Sequence, residues 1–185
     1  MQNTLSQFVS FAGHGLHHGR PAKVVLCPAP AGHGIVFRRT DVIAVDAVVP
    51  ARWDLVVQEP LNTRLENESG VSVATVEHLM AALAGCGIHN ALIEIDGPEV
   101  PILDGSSAQF VRGIIAAGIK GQNAPLRAIK VLRPVEVSHG AAKASLLPSP
   151  SLQIDFSIEF ADAAIGRQSK MLSMANGTFV RELSS

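Results

Sequence analysis

Tyrosine is absent from this chain, tryptophan occurs once and aromatic residues make up only 4% of it, so its core has to be assembled from Val, Ile, Leu and Ala. Charge of either sign is balanced: a net charge of -1 gives no electrostatic reason to expect nucleic acid or an anionic membrane surface as a partner. Small anionic substrates stay open, because a local pocket needs only one or two cations. Cysteine is scarce as well. Cys27 and Cys86 follow no metal or redox spacing, which predicts reduced core thiols and suits a cytoplasm. No stretch approaches the roughly 20 apolar residues of a membrane-spanning helix, and Met1 to Ser10 lacks the cationic lead and apolar run of a signal peptide. What is present is 185 residues, 47% of them hydrophobic, enough for one generous domain or two small ones.

The chain is organised around Ser72–Gly85. Helix formers run from Val76 to Ala84, Thr75 is placed to cap the first turn through its hydroxyl, and Gly85 and Gly87 supply a left-handed stop. Glu77 and His78 are the only polar side chains of this short helix, and both fall in its first turn. Two readings fit the pair. Glu77 can simply complement the positive end of the helix dipole beside a satisfied histidine. Alternatively, His78 offers a nitrogen to a metal while Glu77 stands by as a carboxylate base, the division of labour of the zinc peptidase helix.

Around that helix the pattern is mostly strand. Leu5 to Ala12 and Ala22 to Cys27 form an expected hairpin whose loop, Gly13 to Gly19, holds His14, His17 and His18. Strands are expected over Gly34 to Arg39, within a β-rich stretch Val42 to Val57, over Thr63 to Leu65 and Val71 to Val73, and over Ala91 to Ile95. A rigid loop, Gly97 to Ser106, leads to a second helix at about Ser107 to Ala117, whose buried face is expected to carry Phe110, Val111, Ile114 and Ile115. Two helices on one face of a mainly antiparallel sheet predict a two-layer α+β unit over residues 1–121. Gly121 to Pro125 reads as a linker. After it, Ala142-Lys143-Ala144-Ser145-Leu146-Leu147-Pro148-Ser149-Pro150 echoes Ala22-Lys23-Val24-Val25-Leu26-Cys27-Pro28-Ala29-Pro30, a shift of 120 residues from 22 to 142. This predicts an incomplete second copy of the unit over residues 126–185, with a strand at Ile154 to Phe160 and the first turns of a helix in Thr178 to Ser185.

Several motifs, taken together, resemble a known family. Gly13-His14-Gly15-Leu16-His17-His18-Gly19, Phe37-Arg38-Arg39-Thr40-Asp41, Ala74-Thr75-Val76-Glu77-His78-Leu79-Met80-Ala81-Ala82-Leu83-Ala84-Gly85, Gly87-Ile88-His89-Asn90 and Pro101-Ile102-Leu103-Asp104-Gly105-Ser106 resemble the UDP-3-O-acyl-N-acetylglucosamine deacetylases, zinc amidases of lipid A synthesis in Gram-negative bacteria. The resemblance implies two facing copies of a two-layer unit, a Zn2+ cofactor, a UDP-sugar lipid substrate, a cytoplasmic location and a monomeric whole enzyme without stable membrane insertion. It implies that His78 is a zinc ligand and Glu77 the general base. Phe160 matches an aromatic packed on the uracil ring and Lys143 a cation near the nucleotide phosphates. Leu16, Leu61, Asn62 and Thr63 fall where the family lines its substrate passage. Asp104 matches an aspartate near the site, although capping the second helix explains it equally well; His17 is a further possible site residue.

The family takes its other zinc ligands and catalytic groups from the second half of the second copy, and those are expected to be missing here. A catalytic zinc ordinarily takes three protein ligands, so the chain is expected to be inactive alone. The competing expectation is a non-catalytic fragment that binds a nucleotide sugar or a partner chain. Exposed strands of an unfinished sheet would make such a fragment prone to aggregate.

Overall fold

Strands β1 (Asn3–Leu5), β2 (Val9–His14), β3 (Pro21–Pro28), β4 (Ile35–Arg39), β5 (Val48–Pro50), β6 (Val56–Glu59), β7 (Asn62–Glu66) and β8 (Ser72–Val73) precede helix α1 (Glu77–Gly85). Strand β9 (Ala91–Ile95), helix α2 (Ala108–Ala117) and strand β10 (Ile119–Gly121) follow it. The computed structural model describes residues 1–43, 46–174 and 177–184. Ala44 and Val45, inside the expected β-rich stretch, and Ser185, in the expected C-terminal helix, lie outside the described residues.

A five-stranded sheet in the order β2-β3-β9-β4-β5 forms the first layer. β9 is its centre, antiparallel to β3 and parallel to β4. Register sets which side chains share a face. Val9 lies opposite Leu26, Phe11 opposite Val24, Val24 opposite Ile95, Leu26 opposite Ile93, Ile93 opposite Phe37, and Phe37 opposite Val49. Of these, Val24, Leu26, Phe37, Val49, Ile93 and Ile95 are fully buried, each contributing roughly 1.5–3 kcal/mol relative to exposure. The second layer is the helices. Phe110 of α2 meets Phe11 edge-on with ring centroids 4.9 Å apart, and a Cβ at Gly113 would lie 2.4 Å from the Phe11 ring. Glycine there lets the helix settle onto β2. The fold is therefore α+β, as the alternation of β9 and the 3.6-residue period of α2 predict.

Several local expectations are corrected. Ile115 is 53% exposed and Ala117 takes its place on the buried face of α2. The left-handed residue after α1 is Gly87 (φ 69), whose N–H donates to Ala84 O at 3.0 Å; Gly85 is needed for a different reason. A Cβ on Gly85 would lie 2.0 Å from the ring of Phe179, which packs against it. The expected first strand is two strands, β1 and β2, and the β-rich stretch contains β5, a 3₁₀ turn at Trp53–Leu55 and β6. β6, β7 and β8 make a separate three-stranded sheet. Cys27 and Cys86 are unpaired and half-buried rather than in the core, and burial pushes both thiols up.

The chain forms two compact units, one of Met1–Leu126 with Phe179–Ser185 and one of Arg127–Thr178. The first is closed by pairing β1 with β10, Asn3 opposite Gly121 and Leu5 opposite Ile119. Buried Asn90 ties that closure together. Its Nδ2 donates to Gln2 Oε1 and Gln122 Oε1, both at 2.8 Å, and its Oδ1 accepts the Gly34 N–H at 2.8 Å. The second unit contains β11 (Val135–His139) paired with β12 (Ala142–Leu146), and β13 (Gln153–Glu159) paired with β14 (Arg167–Ser173). Helix α3 (Thr178–Glu182) ends the chain's regular structure. Among the described residues no helix is long and apolar enough to cross a membrane.

Candidate active site

Helix α1 buries Leu79, Ala82 and Leu83, a spacing that leaves Glu77 and His78 half-buried on its first turn. Thr75 does not cap this helix. It stands at φ 56, an unusual conformation for a β-branched residue, and its hydroxyl donates to Glu99 Oε1 at 2.9 Å. Val76 takes the cap position with no side-chain hydrogen bond. One amide of the helix head, that of Val76, is instead met from β7. The Val76 N–H donates to Thr63 O at 3.4 Å, while the Thr63 N–H donates to Glu77 Oε2 at 3.1 Å. Thr63 thus fixes the carboxylate of Glu77. Among the described residues the His78 imidazole makes no hydrogen bond and is open to a ligand.

Glu99, for which the loop pattern of Gly97 to Ser106 predicts no role, is the centre of the region. Only 2% of it is exposed. Its Oε1 accepts the His17 N–H at 2.9 Å and the Thr75 hydroxyl; its Oε2 accepts the His18 N–H at 2.9 Å and lies 2.8 Å from His18 Nδ1. Burial alone raises this carboxyl, but the His17 and His18 amides, the His18 ring and the Thr75 hydroxyl outweigh it and bring it down to about 2. A Cβ on Gly15 would fall 2.2 Å from Glu99 Oε2, so the glycine of the histidine loop is where the carboxylate enters. The available signal was an acid set between Pro98 and Pro101 beside Val100, in an otherwise apolar run.

His17 and His18 also border a cleft of about 420 Å³ with Glu59, Pro60, Asn62, Arg64, Ser72, Ala74 and Pro98. Arg64 is paired with Glu59 at 2.7 Å and with Glu66. Asn62 turns a buried Oδ1 without a hydrogen-bond partner. Leu61, at the tip of the β6–β7 hairpin, has φ 74 and is 90% exposed; Leu16 is 59% exposed. Of the sequence-derived candidates, Glu77 and Thr63 are therefore in direct contact, and His17 and Asn62 share the cleft. Asp104 stands apart. It is exposed, its Oδ1 accepts the Ser106 N–H and hydroxyl at 3.1 and 2.9 Å, and Ser106 Oγ accepts the Ala108 N–H at 3.1 Å. It organises the entry to α2. Within the second unit, Lys143 of β12 is exposed and 3.9 Å from Glu136, and Phe160, just past β13, is 52% exposed.

Among the described residues no three His, Cys, Asp or Glu side chains are grouped so as to hold a metal ion. A zinc site needs more donors than His78 alone, so the described residues do not fit a complete catalytic zinc centre.

Residues 2–185 match the family model of UDP-3-O-acyl N-acetylglycosamine deacetylase. Similar curated proteins named UDP-3-O-acyl-N-acetylglucosamine deacetylase include that of Idiomarina loihiensis, 45% identical over 99% of this chain and 60% of its own length. That of Phenylobacterium zucineum is 44% identical over 98% of this chain and 62% of its own. That of Myxococcus xanthus is 46% identical over 99% and 58%. The chain thus spans about 60% of the length of the curated relatives it matches. It belongs to the UDP-3-O-acyl-N-acetylglucosamine deacetylase family.

Proposed function

We propose that this chain, as a member of that family, contributes to hydrolysis of the N-acetyl amide of a UDP-3-O-acyl-N-acetylglucosamine, an early reaction of lipid A synthesis in the cytoplasm. Water adds to the amide carbonyl, the C–N bond breaks, and acetate and the free sugar amine leave. Glu77 is the group that takes the water's proton, and His78 is one ligand of a zinc ion. The observation that carries this reading is the Thr63 N–H to Glu77 bond beside the His78 imidazole, which makes no hydrogen bond among the described residues. A carboxylate held still at a half-buried helix head is positioned to accept a proton.

Among its described residues this chain holds no full donor set for a metal. Its own residues orient Glu77 and border the substrate. Leu16, Leu61, Asn62 and Thr63 are proposed to line the substrate's path. Phe160 is proposed for the uracil ring and Lys143 for the phosphates, roles that suit an exposed ring and an exposed ammonium. The whole enzyme is proposed to act as a monomer.

The test compares acetate release from the UDP-sugar substrate by this chain alone and by the chain extended with the remaining part of a relative. Turnover is expected only from the extended protein and only with zinc. In that protein Glu77→Ala should keep its zinc and lose roughly 10²–10⁴-fold in rate, the usual size of a general-base contribution, whereas His78→Ala should lose the metal. A full rate with unchanged zinc in either variant refutes the assignment. A second reading, a non-catalytic nucleotide-sugar-binding fragment, is favoured by the missing metal cluster among the described residues. UDP binding by the chain without any turnover in the extended protein would select it.

A further inference from the structure

One buried carboxylate holds two separate pieces of chain. Glu99 Oε1 receives both the His17 amide and the Thr75 hydroxyl, and Oε2 receives the His18 amide. The loop that carries Glu99 is itself pinned on both sides, since the Ala74 N–H donates to Pro98 O at 2.8 Å, the Val100 N–H to Ala74 O at 3.0 Å and the Ile102 N–H to His14 O at 3.0 Å. Thr75 is two residues before Glu77 and sits in a left-handed conformation, which a β-branched residue keeps only where its surroundings impose it. What imposes it is the hydroxyl's bond to a charged acceptor and the ladder between residues 74 and 98–100. From the Thr75 kink the chain enters α1 so that Val76 and Glu77 reach the two sides of the Thr63 peptide.

We propose that Glu99 is a positioning residue of the site: through Thr75 it sets where Glu77 stands, and through the His17 and His18 amides it fixes the histidine loop at the rim of the cleft. Two independent needs are met by one carboxylate. Glutamine in its place has one oxygen for three or more donors and turns an N–H₂ toward the rest, so one of the two loops must let go. Aspartate is a methylene shorter and cannot keep both. This assignment rests on Glu77 being the functional carboxylate, but its test reads position rather than turnover, so it fails or survives separately from the proposed reaction.

The experiment is amide hydrogen exchange by NMR on the 185-residue chain and its Glu99→Gln and Thr75→Val variants. In Glu99→Gln the His17 or His18 amide should exchange at least about tenfold faster, the size expected from losing a charge-assisted bond. The Thr63 amide, which touches Glu77 and not Glu99, should lose protection as well. Amides of α2, such as Ile114, should be unchanged. In Thr75→Val, which removes only the hydroxyl, Thr63 should lose protection while His17 and His18 keep theirs. Retained Thr63 protection in both variants overturns the positioning role, and a uniform loss that includes Ile114 reduces Glu99 to a general stabiliser and also overturns it. Should Glu99→Gln fail to fold, wild-type chain titrated with acid serves instead. Protection of the His17, His18 and Thr63 amides, measured against intrinsic exchange at each pH, should then fall together as the Glu99 carboxyl carbon shift titrates, and independent midpoints overturn the proposal.

Discussion

Each unit of the molecule contains an antiparallel hairpin whose second strand carries the Ala-Lys pattern and runs toward Pro-x-Pro, β2–β3 in one and β11–β12 in the other. Each continues with a second antiparallel pair, β4–β5 and β13–β14. In the first unit β9 slots between them, antiparallel to β3 and parallel to β4, and turns two hairpins into one sheet with a covered face. In the second, no strand among the described residues joins β12 to β13. The consequence is visible residue by residue. Val24, Leu26, Phe37 and Val49 are completely buried, whereas Val137 is 63% exposed, Leu146 60%, Phe156 40% and Met171 74%. The strand that makes a core comes after the helix, not with the hairpins. The expected duplication is a proposal that draws its support from the shared order of hairpins and not from this contrast.

Truncations in the two units should separate most. Phe110→Ala, emptying a fully buried ring site against Phe11, is expected to cost about 3–5 kcal/mol in denaturant unfolding, and Phe156→Ala on the open hairpin under about 1 kcal/mol. Equal losses would mean that the second unit has a core of its own.

Acid should act on the first unit. The Glu99 carboxyl is held down to about 2 from an ordinary 4.5, so its stabilisation is complete above about pH 4.5 and disappears as pH falls toward 2. The shift corresponds to roughly 3 kcal/mol, and the measurement is unfolding free energy between pH 5 and 2, with Glu99→Gln flattening the slope. Gly85→Ala comes next. Helix propensity alone predicts a gain of up to about 1 kcal/mol, but the added Cβ meets the Phe179 ring, so a loss of about 1–3 kcal/mol is expected with faster exchange over residues 179–184. An increase in stability would detach Phe179 from the first unit. Least affected should be Lys143→Ala, whose partner Glu136 is 3.9 Å away with both groups exposed; a change within about 0.5 kcal/mol in stability is expected, while any effect on UDP binding by the chain would sharpen its proposed role.

Much of the first unit was legible in the chain. The alternation of Ala91–Ile95, the glycine stop after α2 and the pairing of Glu77 with His78 on one helical turn all follow from local periodicity and the geometry of a helix end. The cap of α1 was not, because the Thr75 hydroxyl had a stronger acceptor 24 residues away than the amides of its own helix. Glycine residues were legible as turns but not as sockets. Gly85, Gly113 and Gly15 are required by Phe179, Phe11 and Glu99, and no neighbour in sequence announces those partners.

The sequence by itself determined helices α1 and α2, the central strands β3, β4 and β9, and the family that its motifs resemble, since each of these depends on residue type and short-range spacing. Only the tertiary structure decided that β1 closes onto β10, that β9 runs parallel to β4, and that Glu99 accepts the Thr75 hydroxyl at the head of α1. Those contacts join residues up to 118 positions apart, Asn3 with Gly121 being the longest in register. Their loop closure is repaid by burial and hydrogen bonding that exist only once the layers have come together.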